Sequence, residues 1–161
     1  MRAIARFLIA FAIVFSVGSA LALDTTLQST GDWSTGGNWD NGAPTGADNA
    51  IVGDSLQANI TATGEEALTL TLGNAGGGGT LDIDSGDLTL TNFYIGDDST
   101  VAQSGGTITL NDGSVDVFGM ANLAGENAIY TISSGSLQAN KLVGDNLYPY
   151  IGRLGTATWN V

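Results

Sequence analysis

The chain has 161 residues with 16 acidic and four basic side chains, so its formal net charge is −12 at pH 7. A protein this acidic is not expected to bind nucleic acid or anionic membrane surfaces, because Lys and Arg dominate the affinity for both. The sequence contains no Cys and no His. That composition excludes disulfides, Cys nucleophiles, Ser-His-Asp triads and zinc sites built from Cys or His ligands.

The first 22 residues have the features of a secretory signal peptide. Arg2 and Arg6 give a positive start, Phe7–Val17 is an apolar stretch, and Ala20-Leu21-Ala22 fits the small-residue rule for cleavage. The apolar stretch is short compared with the roughly 20 residues that a membrane-spanning helix needs. We therefore expect a secreted or bacterial cell-surface protein whose mature chain begins near Leu23.

Residues 23–49 form a segment rich in Gly, Asn, Asp and Ser, with two tryptophans, Trp33 and Trp39. In a structural interpretation, one indole ring packs over the end of the folded body and makes this an N-terminal capping segment. Pro44 would stiffen the turn into a strand at residues 50–52, because its ring fixes φ. In a functional interpretation, exposed aromatic faces stack on sugars or cations. Trp33 and Trp39 are therefore the candidate carbohydrate-binding residues.

From about residue 50, apolar and polar residues alternate in short runs, which predicts half-buried β-strands. Clusters of Gly, Ser, Asn and Asp separate the runs, as turns require. No helical apolar stripe of ten or more residues follows the signal peptide, so we expect an all-β fold. The clearest runs are Leu68–Leu72, Leu81–Asp84, Leu88–Leu90, Ile108–Leu110 and Val115–Val117.

The runs are also similar to one another, which favours a single-stranded β-solenoid over the antiparallel sandwich that alternation alone allows. One copy begins at Gly79, a second at Ala128, and a third, at residues 100–110, carries one extra glycine. Their Ser-Gly corners begin at residues 85, 104 and 134. In a solenoid the inward residues of stacked coils form one continuous core. The alignment makes Leu81 equivalent to Tyr130, Ile83 to Ile132, and Leu88 to Leu137.

A shorter motif that ends in glycine recurs between the copies, and residues 155–161 match the opening of another copy. We therefore predict solenoid repeats over residues 50–161, in a chain that stops within a strand and is truncated at its C-terminus. Open strand edges at such an end predict end-to-end self-association. The motif reads Tyr94-Ile95-Gly96, Val117-Phe118-Gly119, Leu142-Val143-Gly144 and Tyr150-Ile151-Gly152.

The opening of the mature chain has a distinctive series of residues: Trp33, Asn38, Trp39, Gly42, Pro44, Asp48, Ala50 and Ile51. Followed by Ser-Gly and Ile-Gly repeats, this series resembles secreted β-helix proteins with autotransporter-associated β-strand repeats. Such proteins occur in planctomycete-like and verrucomicrobial bacteria, and many end in a PEP-CTERM sorting signal, which is absent here. The resemblance covers residues 30–161. It implies a right-handed parallel β-helix at the cell surface, usually without known activity.

Asp82, Asp84 and Asp87 are the candidate metal ligands, because oxygen-rich loops bind Ca²⁺. Their spacing is not that of an EF-hand. Alternation also places Asp82 and Asp84 on the solvent face of a strand whose inward residues are Leu81 and Ile83. A solvated strand face is therefore the simpler interpretation, and Ca²⁺ is the only cofactor that we consider.

No catalytic residue is assigned. A glycosidase needs two positioned carboxylates, and a β-helix polysaccharide lyase needs a basic proton acceptor. After signal removal only Lys141 and Arg153 are basic against 16 acids, a net charge of −14, and neither lies in a recognisable motif. We expect a non-enzymatic structural or adhesive surface protein whose partners are extracellular polysaccharide or other surface proteins. The alternative is a carbohydrate-binding or polysaccharide-degrading β-helix module.

Overall fold

A computed structural model of the protein describes residues 21–73, 77–96, 98–110, 118–120, 127–139, 150–151 and 156–160. This part of the chain is all-β, with one 3₁₀ turn at Gly36–Asn38 and no helix long and apolar enough to cross a membrane. The strands are β1 Asp24–Thr26, β2 Gly31–Asp32, β3 Asn49–Val52, β4 Gln57–Ile60, β5 Glu65–Leu72, β6 Thr80–Ile83, β7 Asp87–Ile95, β8 Ser99–Gln103, β9 Thr107–Leu110, β10 Phe118–Met120, β11 Asn127–Ile132, β12 Ser136–Ala139, β13 Tyr150–Ile151 and β14 Thr156–Asn160.

The strands build three ladders, and every pairing of these strands is parallel. One ladder runs β2, β4, β6, β8, β11 and β14. The long strands β5 and β7 serve both other ladders, because β7 pairs with β9 through its first half and with β10 through its second. Each coil therefore passes through all three ladders and returns one strand further along, as in a β-solenoid. The predicted solenoid is confirmed, and the antiparallel sandwich is excluded for the described strands.

The register of the ladders confirms the sequence alignment of the repeats. Three inward rows cross successive coils, and each row contains one of the aligned pairs. The end of the chain also adds a strand as expected, with Trp159 opposite Tyr130. The rows are Leu81, Val101 and Tyr130; Ile83, Gln103 and Ile132; and Leu88, Ile108 and Leu137.

The third copy, however, does not carry an extra glycine. Gly106, rather than Gly105, occupies the corner equivalent to Gly86, because the strands on both sides keep the same register. Gly135 is the matching corner of the following coil, and Ser136 N–H donates to the carbonyl of Gly106 at 3.1 Å. The alignment based on the Ser-Gly pair placed this corner one residue too early, at Gly105. The buried residues of the strands before and after the corner set the register instead.

The shorter glycine motif is shifted by two positions at its second copy, because Gly119 was aligned with Gly96. Gly119 pairs with Tyr94 on one side and with Tyr150 on the other, while Met120 pairs with Ile95. The copy at residues 142–144 and the predicted strand at residues 115–117 lie outside the described residues. The description resumes with β10 at Phe118.

Alternation along the strands builds the core. Most inward side chains of the described coils are buried, although Ile132 and Leu137 are only partly so. The outward side chains are mostly small and polar. Leu68 is half-buried, because it follows the inward residue Ala67 and the next inward position is Leu70. The aromatic rings of Phe93 and Tyr130 meet edge to face in the core, with centroids 6.5 Å apart. The buried residues that alternation predicted are Leu70, Leu72, Leu81, Ile83, Leu88, Leu90, Ile108 and Leu110.

Some of the buried positions are polar, and Gln103 is one of them. Gln103 is buried between Ile83 and Ile132 in its row, where its Oε1 accepts a hydrogen bond from the Tyr130 hydroxyl at 2.7 Å. Its Nε2 donates to the carbonyl of Gly106 at 3.2 Å and to that of Ser136 at 3.0 Å. Burial raises the pKa of the Tyr130 phenol well above its usual range, so this group stays a donor. The amide is thus fully paired, as a buried polar group requires.

We predict that Gly106→Ala lowers the melting temperature more than either of two control substitutions does. Gly106 has φ +61°, and a Cβ there would collide with the carbonyl oxygen of Gly86. Gly64 has φ +81° in open space, so Gly64→Ala isolates the backbone strain, about 1–2 kcal/mol. Gly37→Ala has neither problem. Thermal unfolding should give the order Gly106, Gly64, Gly37, and equal losses at Gly106 and Gly64 would contradict the collision.

Candidate functional site

The two tryptophans lie inside the molecule. Trp33 is 0% exposed and Trp39 is 4% exposed, and their rings meet edge to face with centroids 5.1 Å apart. The Nε1 of Trp39 donates to the main-chain carbonyl of Trp33 at 2.8 Å. Neither ring has a face in solvent on which a sugar could stack. In this arrangement the candidate carbohydrate-binding residues are core residues, a distinction that the sequence does not reveal.

Main-chain hydrogen bonds bring the tryptophans into position. Leu27 forms an isolated antiparallel bridge with Trp39, so the chain folds back on itself after β1. The amides of Gln28 and Ser29 both donate to the carbonyl of Asn38, at 2.7 and 3.3 Å. Trp33 continues the pairing of β2 by donating its amide to Asn59 at 3.0 Å. Residues 27–39 thereby form a closed loop at the N-terminal end of the stack.

The coil nearest the tryptophans has small side chains at its inward positions. Each of its three ladders carries an inward alanine, and these residues, Ala50, Ala58 and Ala67, are buried in the same core cluster as the tryptophans. One coil further along, the same three rows hold larger side chains. Alanine leaves room for two indole rings, and close packing of a core requires that such room be filled. The replacements in the next coil are Leu70, Leu81 and Leu90.

Asp40 and Asn41, which we name the edge cover, lie against the outer side of β1. Asp40 accepts the amide of Thr26 through Oδ1 at 2.8 Å and donates its own amide to the carbonyl of Thr26 at 3.1 Å. Asn41 Nδ2 donates to the carbonyl of Asp24 at 2.9 Å. These three bonds take backbone groups that an outermost strand otherwise leaves unpaired.

The other N-terminal edge strand, β2, is covered in a similar way. Asn38 Nδ2 and the amide of Thr35 both donate to the carbonyl of Asp32, each at 3.1 Å. The Asn38 amide group also lies so close over Gly31 that a Cβ there would collide with it. Both N-terminal edges are therefore closed by residues 35–41.

The turn into β3 is made by a side chain. The Asp48 carboxylate accepts hydrogen bonds from the amide and the hydroxyl of Thr45, at 3.0 and 2.6 Å. The amide of Asp48 returns a bond to the Thr45 carbonyl at 2.9 Å. Local bonds of this kind favour a turn over continued strand. Pro44, just before the turn, is buried, and β3 begins at Asn49.

Glu65 is a buried carboxylate that sequence reasoning missed. It lies in the inward row of Leu88, is 8% exposed, and accepts a side-chain hydrogen bond from Ser34. Burial, and to a smaller extent the nearby charge of Asp32, raise the pKa of Glu65, while the bond from Ser34 acts in the opposite direction. The pattern Glu65-x-Ala67 beside Leu88-x-Leu90 could have identified this inward position.

The three candidate metal ligands do not come together as a site. Asp82 is half-buried and accepts a hydrogen bond from Gln57 at 3.3 Å, whereas Asp84 is exposed and accepts one from Ser104 at 2.8 Å. Partial burial, and then the charge of Asp84, raise the pKa of Asp82. Asp87 begins the next strand. The described part of the chain holds no group of three or more Asp, Glu, His or Cys side chains arranged to bind a metal ion. Asp82, Asp84 and Asp87 are therefore candidate Ca²⁺ ligands that the described geometry does not group, and the solvated strand face stays the simpler interpretation.

We predict that Trp39→Phe destabilises the protein more than Trp33→Phe. The Nε1 of Trp39 donates to a main-chain carbonyl, whereas that of Trp33 is buried without a hydrogen-bond partner among the described residues. Trp39→Phe breaks a buried bond, which costs about 1–3 kcal/mol, while Trp33→Phe removes an unpaired donor. Each variant loses the same volume, so the pair is internally controlled. Urea unfolding that ranked the two variants in the opposite order would contradict this geometry.

Glu65→Gln should raise the melting temperature at neutral pH. Because the folded-state pKa of Glu65 lies above the unfolded value of 4.5, its contribution to stability is present below pH 4.5 and lost as pH rises through the folded pKa. Gln removes that loss and can still accept the bond from Ser34. The gain should vanish below pH 4.5, where Glu65 is protonated. Glu66→Gln, on the exposed side of the same strand, controls for the loss of one charge, and a lower melting temperature for Glu65→Gln at neutral pH would contradict the prediction.

The chain matches no protein-family model, no curated protein and no solved structure. The resemblance to proteins with autotransporter-associated repeats therefore rests on the residues that carry it, in the opening around Trp33 and Trp39 and in the glycine corners, and it stays a prediction.

Proposed function

We propose that this protein is a non-enzymatic structural or adhesive component of a bacterial cell surface, exported by its N-terminal signal and displayed as a β-solenoid. The observation that supports the proposal is the uninterrupted stack. Backbone hydrogen bonds and inward, mostly apolar rows run from coil to coil, which supports a role in which the described residues build a rod.

The outer faces suit a surface that works in water. In the described part of the chain, Leu21, Leu23 and Ile129 are the exposed large hydrophobic residues, and two of them precede β1. Outward rows instead carry short polar side chains, for example Asn49, Thr69 and Asn92. With the strongly negative net charge, such faces favour solubility over membrane contact.

Repetition also supports an adhesive role. Strands in one ladder lie about 4.8 Å apart, so each outward row presents hydroxyl, amide or carboxylate groups at a constant interval. A polymer such as an extracellular polysaccharide can meet several of these groups at once, and weak contacts then add through multivalency. The carbohydrate-binding alternative that relied on Trp33 and Trp39 lacks an exposed ring, so the repeated polar rows are the better candidates for such contacts.

The proposal is tested by following the full chain in a bacterial host beside a chain that lacks residues 1–22. We expect the full chain at the surface of intact cells, accessible to external protease and antibody, with Leu23 as its mature N-terminus. The shortened chain should stay inside. Retention of the full chain inside cells with Met1 intact would overturn the proposal.

A second arm of the test separates adhesion from catalysis. Purified residues 23–161 are incubated with polysaccharides of different charge, with and without Ca²⁺, and both bound protein and released sugar are measured. We expect retention on at least one polymer without release of sugar. Release of shorter chains would replace the proposal with a polysaccharide-degrading enzyme.

A further inference from the structure

The outermost strand of the larger sheet, β1, is the place where another chain could most directly join the stack. The main-chain groups of Leu23 and Leu27, the residues on either side of β1, point toward β3. The carbonyl of Leu23 accepts the amide of Asn49 at 2.8 Å, and the amide of Leu27 donates to the carbonyl of Ile51 at 2.9 Å. The main-chain groups of Asp24 and Thr26 therefore point away from the sheet. An exposed strand edge of this kind is a template for pairing with a second chain.

The edge cover supplies what a neighbouring strand would supply. Three outward groups of β1 are paired by the edge cover: the carbonyl of Asp24, the amide of Thr26 and the carbonyl of Thr26. The Asp24 carbonyl accepts from the side-chain amide of Asn41 at 2.9 Å. The Thr26 amide donates to the Asp40 carboxylate at 2.8 Å, and the Thr26 carbonyl accepts from the Asp40 main-chain amide at 3.1 Å. Donor and acceptor alternate as they do in a β-ladder. Two residues thus pair three main-chain groups of this strand edge without forming a strand.

The position of the cover is fixed by the core beneath it. Asp40 directly follows Trp39, which is buried and bridged to Leu27. On the other side, the buried hydroxyl of Thr25 donates to the carbonyl of Gly42 at 2.9 Å and lies 3.4 Å from the Asp40 carboxylate. The cover is therefore held at both of its ends.

We propose that Asp40 and Asn41 close the N-terminal edge of the solenoid to strand addition by a second copy of this chain. The tryptophans fill the end of the core, Asn38 covers β2, and the edge cover occupies the pairing groups of β1. The N-terminal end of the solenoid is therefore closed to further strand pairing. The inference goes beyond the proposed surface role and does not depend on it.

The test compares the oligomeric state of residues 23–161 in three forms. Asp40→Ala/Asn41→Ala removes the carboxylate and the side-chain amide, which frees the Thr26 amide and the Asp24 carbonyl. Asp40→Asn is the matched control, because it removes the same charge but keeps an oxygen acceptor for Thr26. Molar mass is measured by light scattering over a range of concentrations in about 1 M salt, where the Debye length of about 3 Å suppresses repulsion between the acidic chains.

We expect the double variant to show a weight-average mass that rises with concentration above that of wild type, toward multiples of the wild-type species. Asp40→Asn should follow wild type. Hydrogen exchange at the Thr26 amide reports whether the edge has opened, and it should be faster in the double variant at low concentration. Circular dichroism verifies that each form is folded.

A folded double variant with fast exchange at Thr26 and the same mass as wild type at every concentration would overturn the proposal. Should the double variant not fold, Asn41→Ala alone serves, since it keeps both bonds between Asp40 and Thr26 and frees one carbonyl. It should show the same rise in mass with smaller amplitude, and a mass identical to that of wild type would count equally against the proposal.

Discussion

The parallel hydrogen bonding between coils, kept in one register, is the constraint on which the rest of this structure depends. Because side chains alternate along a strand, a slip of one residue would turn every inward side chain of a coil outward. The register therefore forces apolar residues into rows, and the rows force similar sequence into each coil. Rows such as Leu88, Ile108 and Leu137 result from that constraint. The corner glycines follow from it as well, because neighbouring coils must turn at equivalent positions.

Most of the architecture could be predicted from the sequence, because a fixed register requires apolar residues at equivalent positions of successive coils. Alternation located the strands, and aligning Leu81 with Tyr130 located two members of one row. The errors came where the letters carry little information. Ser-Gly occurs at many turns, so the corner at Gly106 was placed one residue early. The number of residues between the inward positions before and after the corner predicts the register better, because it is the same in all three copies.

The N-terminal region was harder to read, for a different physical reason. Whether an aromatic ring lies in the core or in solvent depends on what the adjoining coil leaves empty, and that becomes visible only when Ala50, Ala58 and Ala67 are known to share a coil. Similarly, the pair Glu65-Glu66 looks like solvated surface until the ladder shows that one of the two faces inward. The edge cover is still further from sequence reasoning, because a single Asp and a single Asn carry no periodic signal.

The alanine layer has a consequence for how such a protein can be rebuilt. The first complete coil has alanine at three inward positions where the next coil has leucine, and both indole rings are buried in the same core. Close packing requires that the volume left by alanine be filled, and the indole rings are the large side chains at this end of the core. A capping segment transplanted onto a coil with leucine at those positions would find the space already filled, and the alanine coil without its tryptophans would enclose a void. The exchangeable unit is therefore residues 24–67 together. Recombination or engineering that cuts this solenoid after residue 67 preserves a matched pair, and a cut near residue 48 separates its two halves.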